Sequence, residues 1–183
     1  MIAPMSETPP EPTAGPTEPS ACPYVVGDDG IAAWSDKHAD AWIGLLETHK
    51  QLTRALDAEL EAGHGLSLSG LELLARLAAA DAHQLRLSVL AHEASLSLSR
   101  VSRIIDLLVA RQLVERRPCS ADARAVEAHL TESGRQLARE AQGTHFASVQ
   151  KRFFDRLQPG ELEVIAEVFG RLSPRAATAC NTD

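Results

Sequence analysis

Apolar residues recur along this chain at two different periods, and the change from one to the other divides the body of the sequence into elements. From residue 31 to residue 62, Trp34, Trp42, Leu45, Leu46, Leu52 and Leu56 fall at helical spacing, and Gly63 and Gly65 close the run, which predicts a long first helix. Ser69 followed by Glu72 has the form of a capping box and predicts a second helix over Leu71, Leu74 and Leu77. Leu87 to Ala94 suits a short third helix, and Ser97 is placed to cap a fourth, "LSRVSRIIDLLVA". At about 100° per residue, Leu98, Val101, Ile104, Ile105 and Leu108 share one side of that fourth helix. Ser99, Arg103, Asp106 and Ala110 share the other, with Arg100 and Ser102 flanking it.

The period then drops to two. "LVERRP" and "RAVEAHL" alternate around a tip at "CSADA", which predicts a β-hairpin with Val114, Val126, Ala128 and Leu130 turned inward. Thr131 caps a long helix through Leu137, Ala141, Phe146, Val149 and Phe153, and Pro159 with Gly160 opens a last helix through Leu162, Ile165, Val168 and Phe169. A short helix, a capped helix with a polar outer face and a hairpin directly after it make a winged helix-turn-helix. The expected fold is therefore mainly α with a small β-hairpin wing. All four Phe lie in the last two helices and both Trp in the first, more apolar surface than one-sided helices need, so the terminal helices are expected to form a homodimer.

Charge changes the picture of what such a fold could meet. The formal net charge of the 183 residues is -7, which by itself disfavours nucleic acid. Residues 1–30, however, hold five acids, no Lys or Arg and seven of the ten Pro, a composition that predicts a disordered acidic tail. Residues 31–183 then carry 20 acids against 18 bases. Between Ser97 and Ala125 there are six arginines (Arg100, Arg103, Arg111, Arg116, Arg117 and Arg124) against three acids, so positive charge is concentrated where the fourth helix and hairpin lie.

Other chemistry is sparse. No apolar run approaches the ~20 residues of a membrane span, the N-terminus lacks the pattern of a signal peptide, and a cytoplasmic location without membrane contact is expected. Cys22, Cys119 and Cys180 are far apart, which favours reduced thiols. The seven His form no i, i+4 pair or cluster with Cys, so no metal is expected; nor is a cofactor. No phosphate loop, zinc-protease pair or nucleophile elbow is present, and an enzyme is not expected.

A DNA major groove admits one helix, whose first turns reach the base edges, and this places Ser97, Ser99, Arg100, Ser102 and Arg103 for readout of double-stranded DNA. Arg86 and Ser88, at the start of the third helix, are candidates for backbone contacts, and Arg116, Arg117 and Ser120 for contacts from the hairpin. A winged helix whose arginines meet an acidic protein partner is the competing reading.

The pieces "LSLSRVSRIIDLLVARQLVERRP", "DARA" and "LTESGR", in this order and spacing, resemble the multiple-antibiotic-resistance regulator (MarR) family of bacterial regulators over roughly Ala41 to Leu172. The resemblance implies an approximately palindromic operator, a repressor released by a small-molecule effector, and Arg124 entering the minor groove with Asp122 holding it. It also implies a redox-sensing alternative acting through Cys22 or Cys119; Cys22 lacks an evident activating base, and Cys119, at the wing tip, is expected to be an exposed thiol. Two departures stand out: Gln112 where the family usually has glycine, and Ala123 where many relatives have a second base. The implied organisation is a tail over 1–30, a dimerisation helix over 31–65, a DNA-binding lobe over 66–130, dimerisation helices over 131–174 and a flexible end over 175–183.

Overall fold

The computed structural model describes residues 24–34, 36–119 and 122–173, with backbone alone for 122–125. Cys22, Ser120 and the expected flexible end after residue 174 lie outside the described residues. The chain packs as two units that divide between Glu47 and Thr48, inside the first helix.

The first unit holds an antiparallel hairpin of β1 (Tyr24–Val26) and β2 (Ala32–Trp34), with Tyr24 opposite Trp34. Gly27 N–H donates to Ile31 O at 2.9 Å, Ile31 N–H donates to the Asp29 carboxylate at 3.0 Å, and Gly30 takes φ 76°, a turn conformation that suits glycine. This corrects the reading of residues 24–30 as disordered tail and of Ile31 to Trp34 as helix. The composition of the first 30 residues is dominated by proline, which hides a short local signal, "YVV" and "IAAW" about "GDDG". The first helix, α1, instead spans Asp36–His64.

The second unit carries the end of α1, then α2 (Leu68–Ala79), β3 (Gln84–Arg86), α3 (Leu87–Glu93), α4 (Leu98–Ala110), β4 (Val114–Cys119), β5 (Asp122–Leu130), α5 (Glu132–Arg152) and α6 (Glu161–Leu172). The expected hairpin is β4 with β5, Val114 opposite Leu130; β3 pairs with the other edge of β5, Arg86 opposite Glu127, giving sheet order β3-β5-β4. Three residues carry too little periodicity to reveal β3 in advance. The α2 cap also differs from expectation. Ser67, not Ser69, accepts from Gly70 N–H at 3.0 Å, the Asp57 carboxylate on α1 accepts from Leu68 N–H at 2.7 Å, and Glu72 pairs with Arg76 one turn on.

Leu60, Leu73, Leu74, Leu77, Leu90, Val101, Ile105 and Val114 form the fully buried centre of this unit. Each such side chain contributes about 1.5–3 kcal/mol of transfer free energy. On α4 the buried row is Val101, Ile105 and Leu108, with Ile104 half-buried beside it. Leu98 departs from that row: it is 53% exposed, because the first turn of α4 runs beyond the packed part of the helix.

The wing is fastened to α5 at one junction. Thr131 N–H donates to Leu113 O at 3.1 Å, its hydroxyl is shared between Gln112 O at 2.9 Å and Leu113 O at 3.0 Å, and that same oxygen caps α5 by accepting from Gly134 N–H. Gly134 is required by space: a Cβ there would stand 2.0 Å from Leu113 O. Gln112, φ 60°, holds the left-handed position after α4, with its N–H on Val109 O and Leu113 N–H on Leu108 O, a Schellman end made without glycine at a cost of up to ~1 kcal/mol. Gly134→Ala should therefore destabilise the fold by about 3 kcal/mol and lower Tm by roughly 6–12 °C in calorimetry, since a backbone carbonyl must move to admit one methyl.

Between α2 and α5 lies a cleft of about 340 Å³ lined by Leu68, Leu71, Glu72, Ala75, Gln142, His145 and Phe146. His145 Nδ1 is buried there with no hydrogen-bond partner among the described residues, and burial pushes the imidazole below its usual value of 6.5. The unfolded chain then takes up a proton at higher pH than the folded one, so the favourable term is complete above about pH 6.5 and is lost as pH falls toward the lowered folded value. Wild type should lose thermal stability between pH 7.5 and 5.5 more steeply than His145→Gln, measured by circular dichroism in matched buffers.

Candidate nucleic-acid interface

The turn between α3 and α4 repeats the device seen after α4. Ser95 takes φ 53°, its N–H donates to His92 O at 3.2 Å, and Leu96 N–H donates to Ala91 O at 3.0 Å. Leu96 packs against the core, so the turn leading into α4 is anchored. Ser97 caps α4 as expected, accepting from Arg100 N–H at 3.3 Å, and its hydroxyl lies 3.2 Å from that of Ser99.

The geometry gathers Ser97, Leu98, Ser99, Arg100 and Arg103 on the exposed N-terminal half of α4. Open backbone donors and the positive end of the helix dipole lie in the same place. Arg100 Nη2 donates to the Ser69 hydroxyl on α2 at 3.3 Å, so Ser69, read from sequence as a cap, steadies a candidate reading residue. Two serines two positions apart gave no local signal to tell these roles apart. Arg103 is exposed and has no hydrogen bond or ion pair with any described residue.

The remaining candidates are not all alike. Arg116 Nη2 donates to Ser102 O at 3.0 Å and Ser102 Oγ at 2.8 Å and stands 2.9 Å from the Asp106 carboxylate, so Arg116 and Ser102 hold β4 against the flank of α4. Arg117 is exposed and paired with Glu115 at 2.7 Å. Arg86 ends β3, donates to Cys119 Sγ at 3.2 Å and lies 3.9 Å from Glu127. Ser88 is exposed in the first turn of α3. Asp122 and Arg124 are carried on β5. Cys119 is buried, 4% exposed, which corrects the expectation of an exposed thiol: the strand shifts register at Pro118/Cys119 and turns the side chain in beside Arg86. Val126, expected inward, is 38% exposed.

Arg111 escaped the sequence reading as anything but one more positive charge. Its guanidinium donates to the carbonyls of Gly65 and, at 2.9 Å, His64, closing the C-terminal end of α1. Earlier on α1, Glu59 pairs with Arg152 of α5, and this bond with that from Ser148 holds the Glu59 carboxyl below its usual value. Among the described residues no group of three or more His, Cys, Asp or Glu is placed to hold a metal ion.

Comparison with known proteins agrees with this geometry. The family model described as MarR family matches residues 66–126, which run from the loop before α2 into β5. No curated protein matches the chain. AbsC, a MarR family transcriptional regulator from Streptomyces coelicolor, is 30% identical, with 80% of this chain and 98% of that one covered and a TM-score of 0.71. Sco3205, a MarR family transcriptional regulator from the same organism whose structure is in complex with DNA, is 27% identical over 77% of this chain and 89% of its own, TM-score 0.72. Wild-type MarR from E. coli in its apo form, 21% identical over 71% and 93%, TM-score 0.60, shares the fold. The fold, the helix-turn-helix lobe and a relative matched over nearly its whole length agree, and this chain belongs to the MarR family of transcriptional regulators.

Proposed function

We propose that the chain binds an approximately palindromic operator in duplex DNA as a homodimer, acts there as a repressor, and is released by a small-molecule effector. The observation that carries the DNA-binding part is the exposed N-terminal half of α4, where Ser97, Ser99, Arg100 and Arg103 stand clear of the core that Val101, Ile105 and Leu108 enter. Base edges are met there by arginine and serine, and phosphates by helix-end amides. In this reading Arg124 enters a minor groove from β5 with Asp122 beside it, Ser88, Arg117 and Ser120 touch the sugar-phosphate backbone, and Ser102, Arg116 and Arg86 fix the elements that carry them. That the related Sco3205 is found in complex with DNA supports DNA binding by this chain's corresponding lobe.

Dimerisation is supported by apolar side chains left in solvent on the terminal helices. Phe146, Val164 and Leu172 are 64%, 60% and 72% exposed, and Trp42, Leu162 and Phe169 are also exposed. Such surface marks an interface. The proposed division is dimerisation through 31–65 and 131–174 and DNA binding through 66–130. The α2–α5 cleft beside His145 is the effector site this reading favours, because an occupant there would touch the first helix of the DNA-binding lobe and a dimerisation helix together. Such a regulator works in the cytoplasm, on the chromosome.

Selection from randomised duplexes at one salt concentration tests the assignment. Arg103→Ala should cost roughly 1–3 kcal/mol per half-site and relax base choice at one position, symmetrically in half-sites about one helical turn apart. Arg124→Ala should weaken binding with little loss of discrimination apart from A·T preference at the outer edges, and should flatten the salt dependence. An unchanged selected sequence with Arg103→Ala, every duplex weakened equally, would make Arg103 a phosphate contact.

A further inference from the structure

We propose that Arg111 is a positioning residue that sets the half-site spacing accepted by the dimer, by fixing the angle of α4 against the end of α1. The proposal rests on the DNA-binding reading of α4 given above. Arg111 is the residue that ends α4, and its two terminal nitrogens donate to two successive carbonyls, His64 O and Gly65 O, at the end of α1. Gly65 has φ +61°, and a Cβ on it would lie 3.5–3.7 Å from the three atoms at the head of Arg111, so the guanidinium rests on the open face of that glycine. Carbonyls at a helix end carry partial negative charge and lack intrahelical partners. A planar fork that meets two of them fixes direction as well as distance, which a single ammonium does not.

The backbone from which Arg111 springs is itself immobilised. Gln112 and Leu113 N–H groups close the end of α4 on Val109 O and Leu108 O, and Gln112 O accepts from the hydroxyls of Thr131 and Ser133. A short, fully bonded path therefore runs from α1, proposed to lie in the dimer interface, into α4. Beside it, Asp57 of α1 holds the N-terminus of α2. The reading residues sit at the opposite end of α4 from Arg111. With 13 residues at about 1.5 Å rise, α4 is a lever of roughly 20 Å, so a tilt of about 10° at Arg111 displaces Arg103, in the middle of the helix, by about 2 Å and Ser99, in its first turn, by about 3 Å. The latter is close to the rise of one base pair, about 3.4 Å.

The experiment compares wild type, Arg111→Ala and Arg111→Lys on duplexes carrying two wild-type-selected half-sites at the selected spacing and at one and two base pairs more or fewer, with sedimentation and thermal melting alongside. Both variants should remain folded dimers with unchanged base preference within a half-site, while the penalty for a one-base-pair change in spacing falls at least tenfold. Arg111→Lys keeps the charge and loses the fork, so it decides the matter if Arg111→Ala does not fold. A spacing profile as sharp as wild type in the Lys variant, or in a folded Ala variant, overturns the proposal while leaving the DNA-binding reading intact. Wild type that shows no preference among duplexes overturns that reading and this inference together.

Discussion

The constraint on which the rest depends is the burial of one row of α4. Val101 and Ile105 are wholly removed from solvent and Leu108 nearly so, against the leucines of α2 and α3. Removing any of them would leave a cavity costing on the order of 2–5 kcal/mol for the larger side chains, so the helix cannot roll. Because side chains repeat every 3.6 residues, fixing that row fixes where Ser99 and Arg103 project. The polar face is thus a consequence of the apolar one.

The six arginines between Ser97 and Ala125 have divided uses, which charge counting could not separate. Arg111 closes the end of α1, Arg116 braces β4 against Ser102 and Asp106, Arg117 lies along Glu115, and Arg100 leans on Ser69. Arg103 alone of those whose side chains are described is left without a protein partner among the described residues. A helix face that meets DNA needs some of its cations open and others committed to holding the face still, and both kinds are present within one turn of each other.

Much of this was legible in advance because it is local. The 3.6-residue period revealed α1, α4, α5 and α6, the alternation around "CSADA" revealed β4 and β5, and Ser97 and Thr131 cap the helices expected of them. The failures share a cause: each depends on a partner distant in sequence or on a signal too short to average. β3 exists because β5 offers an edge. Ser69 serves Arg100, 31 positions away, and Arg111 serves Gly65, 46 positions away. Cys119 is buried by a register shift that no alternation pattern contains. The β1–β2 hairpin was lost in the proline-rich composition around it. Gln112 stood out only through the resemblance, as a departure from the family's usual glycine, and it takes φ 60° directly after α4.

The central claim is that the N-terminal half of α4 meets base pairs in a major groove. Photo-crosslinking tests it most directly, with a benzophenone amino acid placed at Ser99 in one protein and at Val164 of α6 in another, each mixed with a wild-type-selected duplex. Ser99, exposed on α4, should give a cross-link confined to the same position in each half-site, lost when the half-sites are scrambled, and Val164 should give none. Cross-linking from Val164 equal to that from Ser99, or cross-links from Ser99 scattered evenly along any duplex, would contradict it.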